Sequence, residues 1–450
     1  MARVRDWRRL AAILLLVIGL VLPTGAIAQE EPRTAQPVSE SSIGPTSEIL
    51  PPPTGQAYYV DCNGANDGAD GRDAARAWAT LARANKATLQ PGDALLLKRG
   101  CAWTGPLLAS WVGSATQPIQ IGAYGDGDRP VIQNSNSEVV VTGSFLIFDN
   151  LKVRSDPDSV DTACNNNPIG NRTGFSFERG ATYNVTQNSV ISDLASGVFF
   201  TPAAHHNRLV HNELSNNTMM FDADPWRNDG GGQAILLEGD FNEIAYNQIF
   251  GSMACSTRFT TDGTAIELYG GQNNAIHHNS TWNNANFTEV TLPRTTNNVY
   301  AYNLINGHSA ATVHGGSSGT KVYNNVFYST GGSGDNGVVC YPCTNDVLTF
   351  KNNIVWGYGA LSTSGTPLDE GHNLYWAPNG HPYLDAPISS SSRVADPLFV
   401  DPGVDFHLSI DSPAHGAGSL EILSLGFLHD LNLVPVPQRD TPSVGVYELP

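Results

Sequence analysis

Charge is scarce in this chain and mostly of one sign. Of 450 residues 15% are charged, 24 Lys and Arg stand against 42 Asp and Glu, and there are just five lysines. A general nucleic-acid surface is therefore excluded. With hydrophobic residues at 40%, the chain is neither a coiled coil nor wholly disordered. Beyond residue 22 no run is apolar enough to cross a bilayer. The centre shows no helical period, which rules out helical solenoids and most leucine-rich repeats. What abounds is glycine (45) and proline (28), the residues of tight turns. The balance describes a turn-rich all-β protein, long enough for an extensive core.

Arg3, Arg5, Arg8 and Arg9 precede an apolar run over 10–22, followed by Pro23, Gly25 and Ala26-Ile27-Ala28. This order predicts a secretory signal peptide over 1–28 and a secreted, extracellular protein. Thirteen apolar residues fall short of a comfortable membrane span, and retention of the leader as an anchor is the alternative. Cleavage takes away four Arg and one Asp, leaving 20 basic against 41 acidic residues, a net −21. Residues 29–56, rich in Pro, Ser, Thr and Glu, predict a disordered linker. The folded domain is expected over 57–450, beginning near Tyr58. Six cysteines follow the leader, an even count that fits disulfides in an exported chain. Cys62 with Cys101, Cys340 with Cys343, and Cys164 with Cys255 are the expected pairs.

An Asn followed within two residues by an apolar or β-branched one recurs at Asn150, Asn188, Asn212, Asn247, Asn279, Asn303, Asn325, Asn353 and Asn373. The shortest intervals cluster near 22 residues, and the residues before each Asn repeat as well, as in Asn207-Arg208-Leu209-Val210-His211 and Asn242-Glu243-Ile244-Ala245-Tyr246. Short strands between Gly and Asn turns at this period predict a parallel β-coil. Asn tolerates the left-handed backbone of a tight turn, and one Asn per coil lets the amides bond up and down a column. Asn188, Asn212, Asn247, Asn279 and Asn303 are expected in one such column, in a coil of roughly ten turns.

Here the chain resembles the right-handed parallel β-helix superfamily of secreted bacterial proteins, which includes pectate lyases, polygalacturonases, alginate lyases and epimerases. Tyr58-Tyr59-Val60-Asp61, Trp78-Ala79-Thr80-Leu81, Pro91-Gly92-Asp93 and Ile121-Gly122-Ala123-Tyr124-Gly125, within 57–132, look like its N-terminal segment. Ala395-Asp396-Pro397-Leu398-Phe399, Asp405-Phe406-His407-Leu408, Ser412-Pro413-Ala414 and Gly445-Val446-Tyr447-Glu448, within 395–450, look like its closing segment. The resemblance implies a single right-handed β-helix and leaves activity open, since the superfamily hosts lyases, hydrolases, isomerases and non-enzymes. Residues 74–88 are expected to form a short capping helix with Trp78, Leu81 and Ala82 on its apolar side.

In each long coil the distance from strand to turn Asn stays near 13 residues, so the extra residues lie before the strand, at about 155–173, 216–231 and 252–263. Loops leaving one corner of a coil build the wall of a groove. If Val198, Ile235, Ile266, Val290 and Val313 form an inward column, alternation turns Glu238, Glu267, Tyr269, Glu289, Thr291 and His314 outward. Glu238, Glu267 and Glu289 are then expected on a diagonal, roughly 8 Å between successive Cα atoms.

Carboxyl groups about 5–9 Å apart can protonate a glycosidic oxygen and activate water or attack. Glu267, Glu289, His314 and Glu238 are thus the candidate catalytic residues, and Trp226, Arg258, Asp262, Tyr269 and Arg294 the candidate substrate contacts. Calcium is the open alternative use of these carboxylates, and of the acidic stretch Asp61–Asp73. The adjacent pairs His205-His206 and His277-His278 are expected on opposite strand faces. The composite expectation is a secreted, monomeric enzyme cleaving a polysaccharide, with hydrolysis preferred to elimination. The alternative is a non-catalytic glycan-binding or adhesion protein.

Overall fold

The computed structural model describes residues 52–155, 172–221, 230–256, 260–307, 311–314, 317–329, 336–363 and 368–449. The signal peptide and most of the linker read above lie outside these residues. The chain winds through three long parallel sheets, here called A, B and C, of 12, 12 and 10 strands. One representative turn runs Glu243–Ala245 in A, Gln248–Phe250 in B, Thr264–Tyr269 in C and Ala275–His277 back in A. The architecture is a right-handed parallel β-helix with a short capping helix at its N-terminal end.

Only two residues separate A from B in most turns, and that corner carries the asparagine column. Asn212, Asn247, Asn279, Asn303, Asn325, Asn353 and Asn373 are stacked, each Oδ1 after the first accepting from both the backbone N–H and the Nδ2 of the Asn one turn earlier at 2.8–3.2 Å. Each of these side chains is buried. Low local dielectric makes such a fully satisfied chain strong and an interrupted one costly.

Two expectations about this column need correction. Asn188 is not in it: Ser189 donates its N–H to Asn212 Oδ1 and holds the position one residue later. The stacked Asn residues are also not the left-handed ones. Positive φ belongs to the residue before each, namely Asn188, His211, Tyr246, His278, Tyr302, Asn324, Asn352 and His372, at 52–60°. The tight bend and the amide ladder are thus separate duties of adjacent residues. A second ladder, Asn184–Asn207–Asn242–Asn274–Asn298, closes the corner from C to A at 2.7–3.3 Å.

The core fills the coil with Val139, Phe175, Val198, Ile235 and Ile266 of sheet C, all fully buried, against Ile191, Leu214 and Ile249 of B and Leu209, Ile244 and Ile276 of A. At the N-terminal end the expected helix over 74–88 is instead a 3₁₀ turn, Ala74–Arg76, and one α turn, Leu81–Ala84. Asp73 caps the first and Thr80 the second through their side chains, and this early restart of the helix turns Ala82 outward while Ala84 packs inward. Trp78 is core, 1% exposed, with its Nε1 donating to Ala69 O. Cys62–Cys101 and Cys340–Cys343 are disulfides as expected. Cys255 is disulfide-bonded, while Cys164 lies outside the described residues. The closing segment forms its own small core, Phe399, Phe406, Leu408, Val444 and Val446 against Val326, Ile354 and Leu374.

Replacing Asn279 by Ala strips the Asn247 N–H of its acceptor and Ile244 O of a donor. Two buried orphans should lower unfolding free energy by about 2–4 kcal/mol. Asn188→Gly, which suits its positive φ, should cost under about 1 kcal/mol. Urea unfolding of both variants checks the contrast, and equal costs would remove the ladder's special role.

Candidate active site

Strand register arranges the outward side of sheet C into columns. Leu236, Glu267, Glu289, Thr312 and Val339 follow one another on successive strands. Two residues along, Tyr269 pairs with Thr291 and His314 with Tyr341, while Glu238 directly follows the neighbouring strand Gln233–Leu237. Glu267 and Glu289 are therefore not diagonal, as alternation had suggested, but side by side. One strand spacing, about 4.8 Å, separates their backbones.

The shift has a definite cause. Ile266 pairs with Thr288, not Val290, and Thr288 faces inward as a buried polar residue whose hydroxyl meets Tyr300 OH at 2.8 Å. Val290 and Val313 belong to the neighbouring inward column with Leu268.

Alternation also breaks at the start of these strands. Ala265 and Ile266 are both fully buried core residues, because their amides donate in succession to Asn286 O and Phe287 O. Thr264 and Glu267 consequently share the outer side. Thr264 is 4% exposed and lines an open cleft with Asp262, Asn286, Glu289 and Thr312. Gln233, in register with Thr264, donates through Nε2 to Glu267 Oε2. Strict period-two reading missed Gln233, Thr264 and Asn286; only the strand break brings them to the acids.

Three oxygens at this place have no hydrogen-bond partner among the described residues: Thr264 Oγ1, Gln233 Oε1 and Asn286 Oδ1. The amide orientations follow from their donors, since Gln233 Nε2 serves Glu267 and Asn286 Nδ2 serves Thr288 O. Buried polar atoms are ordinarily paired, so a cluster left open beside a cleft marks a place for a ligand or water.

The insertions at 155–173, 216–231 and 252–263 all connect sheet B to sheet C, and the third closes as a hairpin of Ala254–Ser256 with Thr260–Asp262. Asp262 thereby reaches the cleft rim. Trp226 and Arg258 lie outside the described residues. Arg294 sits at the far end of the sheet, where Nη2 donates to Asp240 Oδ1 at 3.0 Å and to Glu238 O at 3.2 Å. The structure thus gathers Glu267, Glu289 and Asp262, places Glu238, Tyr269 and the backbone of His314 one column over, and ties Arg294 to an acid.

The other candidate ligand groups are engaged by the protein. Asp67 accepts from Thr80 Oγ1 at 2.6 Å and from two backbone amides, Asp70 and Asp73 hold Arg76, and Asp61 meets Lys98. The histidine pairs depart from expectation: His205 and His206, like His277 and His278, meet Nδ1 to Nδ1 at 2.8 Å. Positive φ at His206 and His278 turns each pair out of strand geometry.

Glu138 is a further acid that sequence reading passed over. It stands on sheet C opposite Gly174, 0% exposed, and burial pushes its carboxyl up to about 7, against Ser135 donors and Arg172 that favour the charged form. A carboxyl titrating there suits general-acid work, but its burial withholds it from any substrate.

No family model matches the chain. Over 126 residues it is 31% identical to the lacto-N-biosidase of Bifidobacterium longum subsp. longum, a stretch that is 27% of this chain and 7% of that protein. Among solved structures, pectate lyase Pel9A superposes with TM-score 0.57 at 17% identity, covering 88% of this chain and 97% of that one. A GH136 lacto-N-biosidase from Eubacterium ramulus superposes with TM-score 0.50 at 17% identity, covering 78% of this chain and 66% of that one. At these identities the structural likeness establishes the fold.

Because folding raises the Glu138 pKa above its ordinary 4.5, the native state binds this proton more tightly than the unfolded chain. The resulting stability is present below pH 4.5 and is lost as pH rises through about 7. Urea midpoints should decline across that window in the parent protein, and Glu138→Gln should flatten the decline. An unchanged pH profile in the variant would assign the titration elsewhere.

Proposed function

We propose that this chain is an exported enzyme that cleaves glycosidic bonds of a glycan lying along sheet C, with Glu267 and Glu289 as its working carboxyl groups. The carrying observation is the in-register pair beside a cleft. Like charges on directly opposing strand positions are destabilising, and the same column holds Leu236, Thr312 and Val339 elsewhere. A merely solvated face has no need to concentrate its acids on two neighbouring strands.

Hydrolysis is the better reading. One strand spacing suits the roughly 5–5.5 Å separation of carboxyl groups in retaining glycosidases. In that scheme one carboxyl protonates the departing oxygen, the other attacks the anomeric carbon, and water later releases the glycosyl ester with the first acting as base. Gln233 Nε2 donates to Glu267 Oε2 and so fixes the orientation of that carboxyl. Glu267 is therefore assigned as nucleophile and Glu289 as acid.

Elimination would call for a base at the uronate carbon and a cation on its carboxylate. A mature net charge of −21 repels polyuronates at long range. The expected substrate contacts Trp226, Arg258, Tyr269 and Arg294, and the expected catalytic His314 and Glu238, stay in the proposal as extensions of the groove. The disulfides agree with an oxidising, extracellular setting.

Assay of the protein against a glycan panel should detect new reducing ends without unsaturated products. Glu267→Gln and Glu289→Gln, each keeping the fold, should lose about two to four orders of magnitude in rate. Unsaturated products that vanish with EDTA and return with calcium would replace hydrolysis by elimination. Full turnover in both variants would displace the site, and binding without cleavage in the parent would leave a glycan-binding protein.

A further inference from the structure

The cleft beside Glu289 continues past the acids. Its lining steps from strand to strand, from Thr264 through Glu289 and Thr312 to Val339, so it runs along the coil axis and not along a strand. Register follows the same line, since Glu289, Thr312 and Val339 pair in succession. Thr312 and Val339 are half-buried and uncharged. A ligand held at the acids and following this cleft arrives at the strand Asn336–Tyr341.

That strand ends on an aromatic ring facing outward. Val338 is buried, Val339 half-buried, Cys340 buried and Tyr341 44% exposed, so Val339 and Tyr341 share the outer side of sheet C. The backbone around this ring is pinned. Cys340 and Cys343 are both fully buried and joined to each other, with Tyr341 and Pro342 alone between them. A bridge closing so short a loop removes less entropy from the unfolded chain than one closing a long loop. Its effect is local: it anchors both ends of the Tyr341 turn in the core.

We infer that Tyr341 is a distal subsite on which a pyranose ring of the bound glycan stacks, and that the ligand of this cleft is a chain of several sugars and not a disaccharide. Two strand spacings and two residues separate Tyr341 from Glu289, roughly 12 Å between Cα atoms, which puts the ring about two or three pyranose units from the acids. A pyranose carries C–H groups on its ring face, and a tyrosine offers them an apolar, electron-rich surface while its hydroxyl stays in water. A ring on a fixed backbone loses little freedom on binding. This inference rests on the glycan reading of the cleft but not on bond cleavage, because it concerns the length of ligand bound. A tyrosine that merely covers the Cys340–Cys343 bridge would affect stability and be blind to ligand length.

Calorimetric titration uses the Glu267→Gln protein as background, so that no probe is consumed. The probes are the dimer and hexamer of six series: β-1,4-linked glucose, xylose, galactose and N-acetylglucosamine, and the galacturonate and mannuronate oligomers. The hexamer of at least one series should bind, and its dimer more weakly or not at all. Tyr341→Ala should lower hexamer affinity about tenfold with dimer affinity and thermal midpoint unchanged, and Tyr341→Phe should restore the hexamer. Hexamer binding that Tyr341→Ala leaves intact overturns the inference and spares the glycan reading. An equal loss for dimer and hexamer, or a loss that tracks a lowered thermal midpoint, also overturns it, by making Tyr341 structural. Failure of every series removes the glycan reading and the subsite together, whereas Tyr341-dependent hexamer binding by a parent protein that cleaves no series keeps the subsite and removes the enzyme reading.

Discussion

Most turns of this coil have to close within two or three residues at the A–B corner and still leave no buried amide unmatched. The asparagine ladder meets that constraint. Its Oδ1 covers the backbone N–H exposed by the bend, and its Nδ2 reaches a carbonyl of the turn before, as Asn279 does with Ile244 O at 2.9 Å. Because the amide spans adjacent turns, it fixes their register as well as their spacing. A one-residue slip would exchange the inward and outward sets of every later strand. The second ladder imposes the same lock at the C–A corner.

With two corners locked, length variation is left to the third. Insertions at the B–C corner do not disturb the ladders, so length variation accumulates there, at the entrance to sheet C. That is why the candidate site lies on sheet C and toward its leading edge, where Asp262, Thr264 and Asn286 meet Glu289. The rigid part sets the columns, and the variable part supplies the rim.

Much of this is legible in sequence, for identifiable reasons. The ladder is visible because Asn recurs near a 22-residue period and its neighbours recur with it. Asn188 misleads because Asn suits both duties at that corner, and its successor Ser189 takes the ladder position. The left-handed residues are hidden at Tyr246 and Tyr302, because tyrosine is not a residue whose type announces positive φ. In the site, the inward column is readable as far as Ile266 and fails at Thr288, since a hydrophobic search passes over a buried threonine satisfied by Tyr300. The pairing of Glu267 with Glu289 follows only after that threonine is recognised as core.

The cleft reverses the rule that governs the ladders. Along the two ladders each buried amide is matched, turn after turn; at the start of the sheet C strands, Thr264, Gln233 and Asn286 keep open oxygens, and two carboxylates stand one strand spacing apart. Unmatched buried oxygens cost stability. A scaffold this regular can hold them, because the strain is local and the strands on either side are fixed by bonds that do not involve the site. Open acceptors and paired acids on a strand break are therefore coupled: the same loss of alternation that turns Thr264 outward also brings the Gln233 amide to the proposed nucleophile, Glu267.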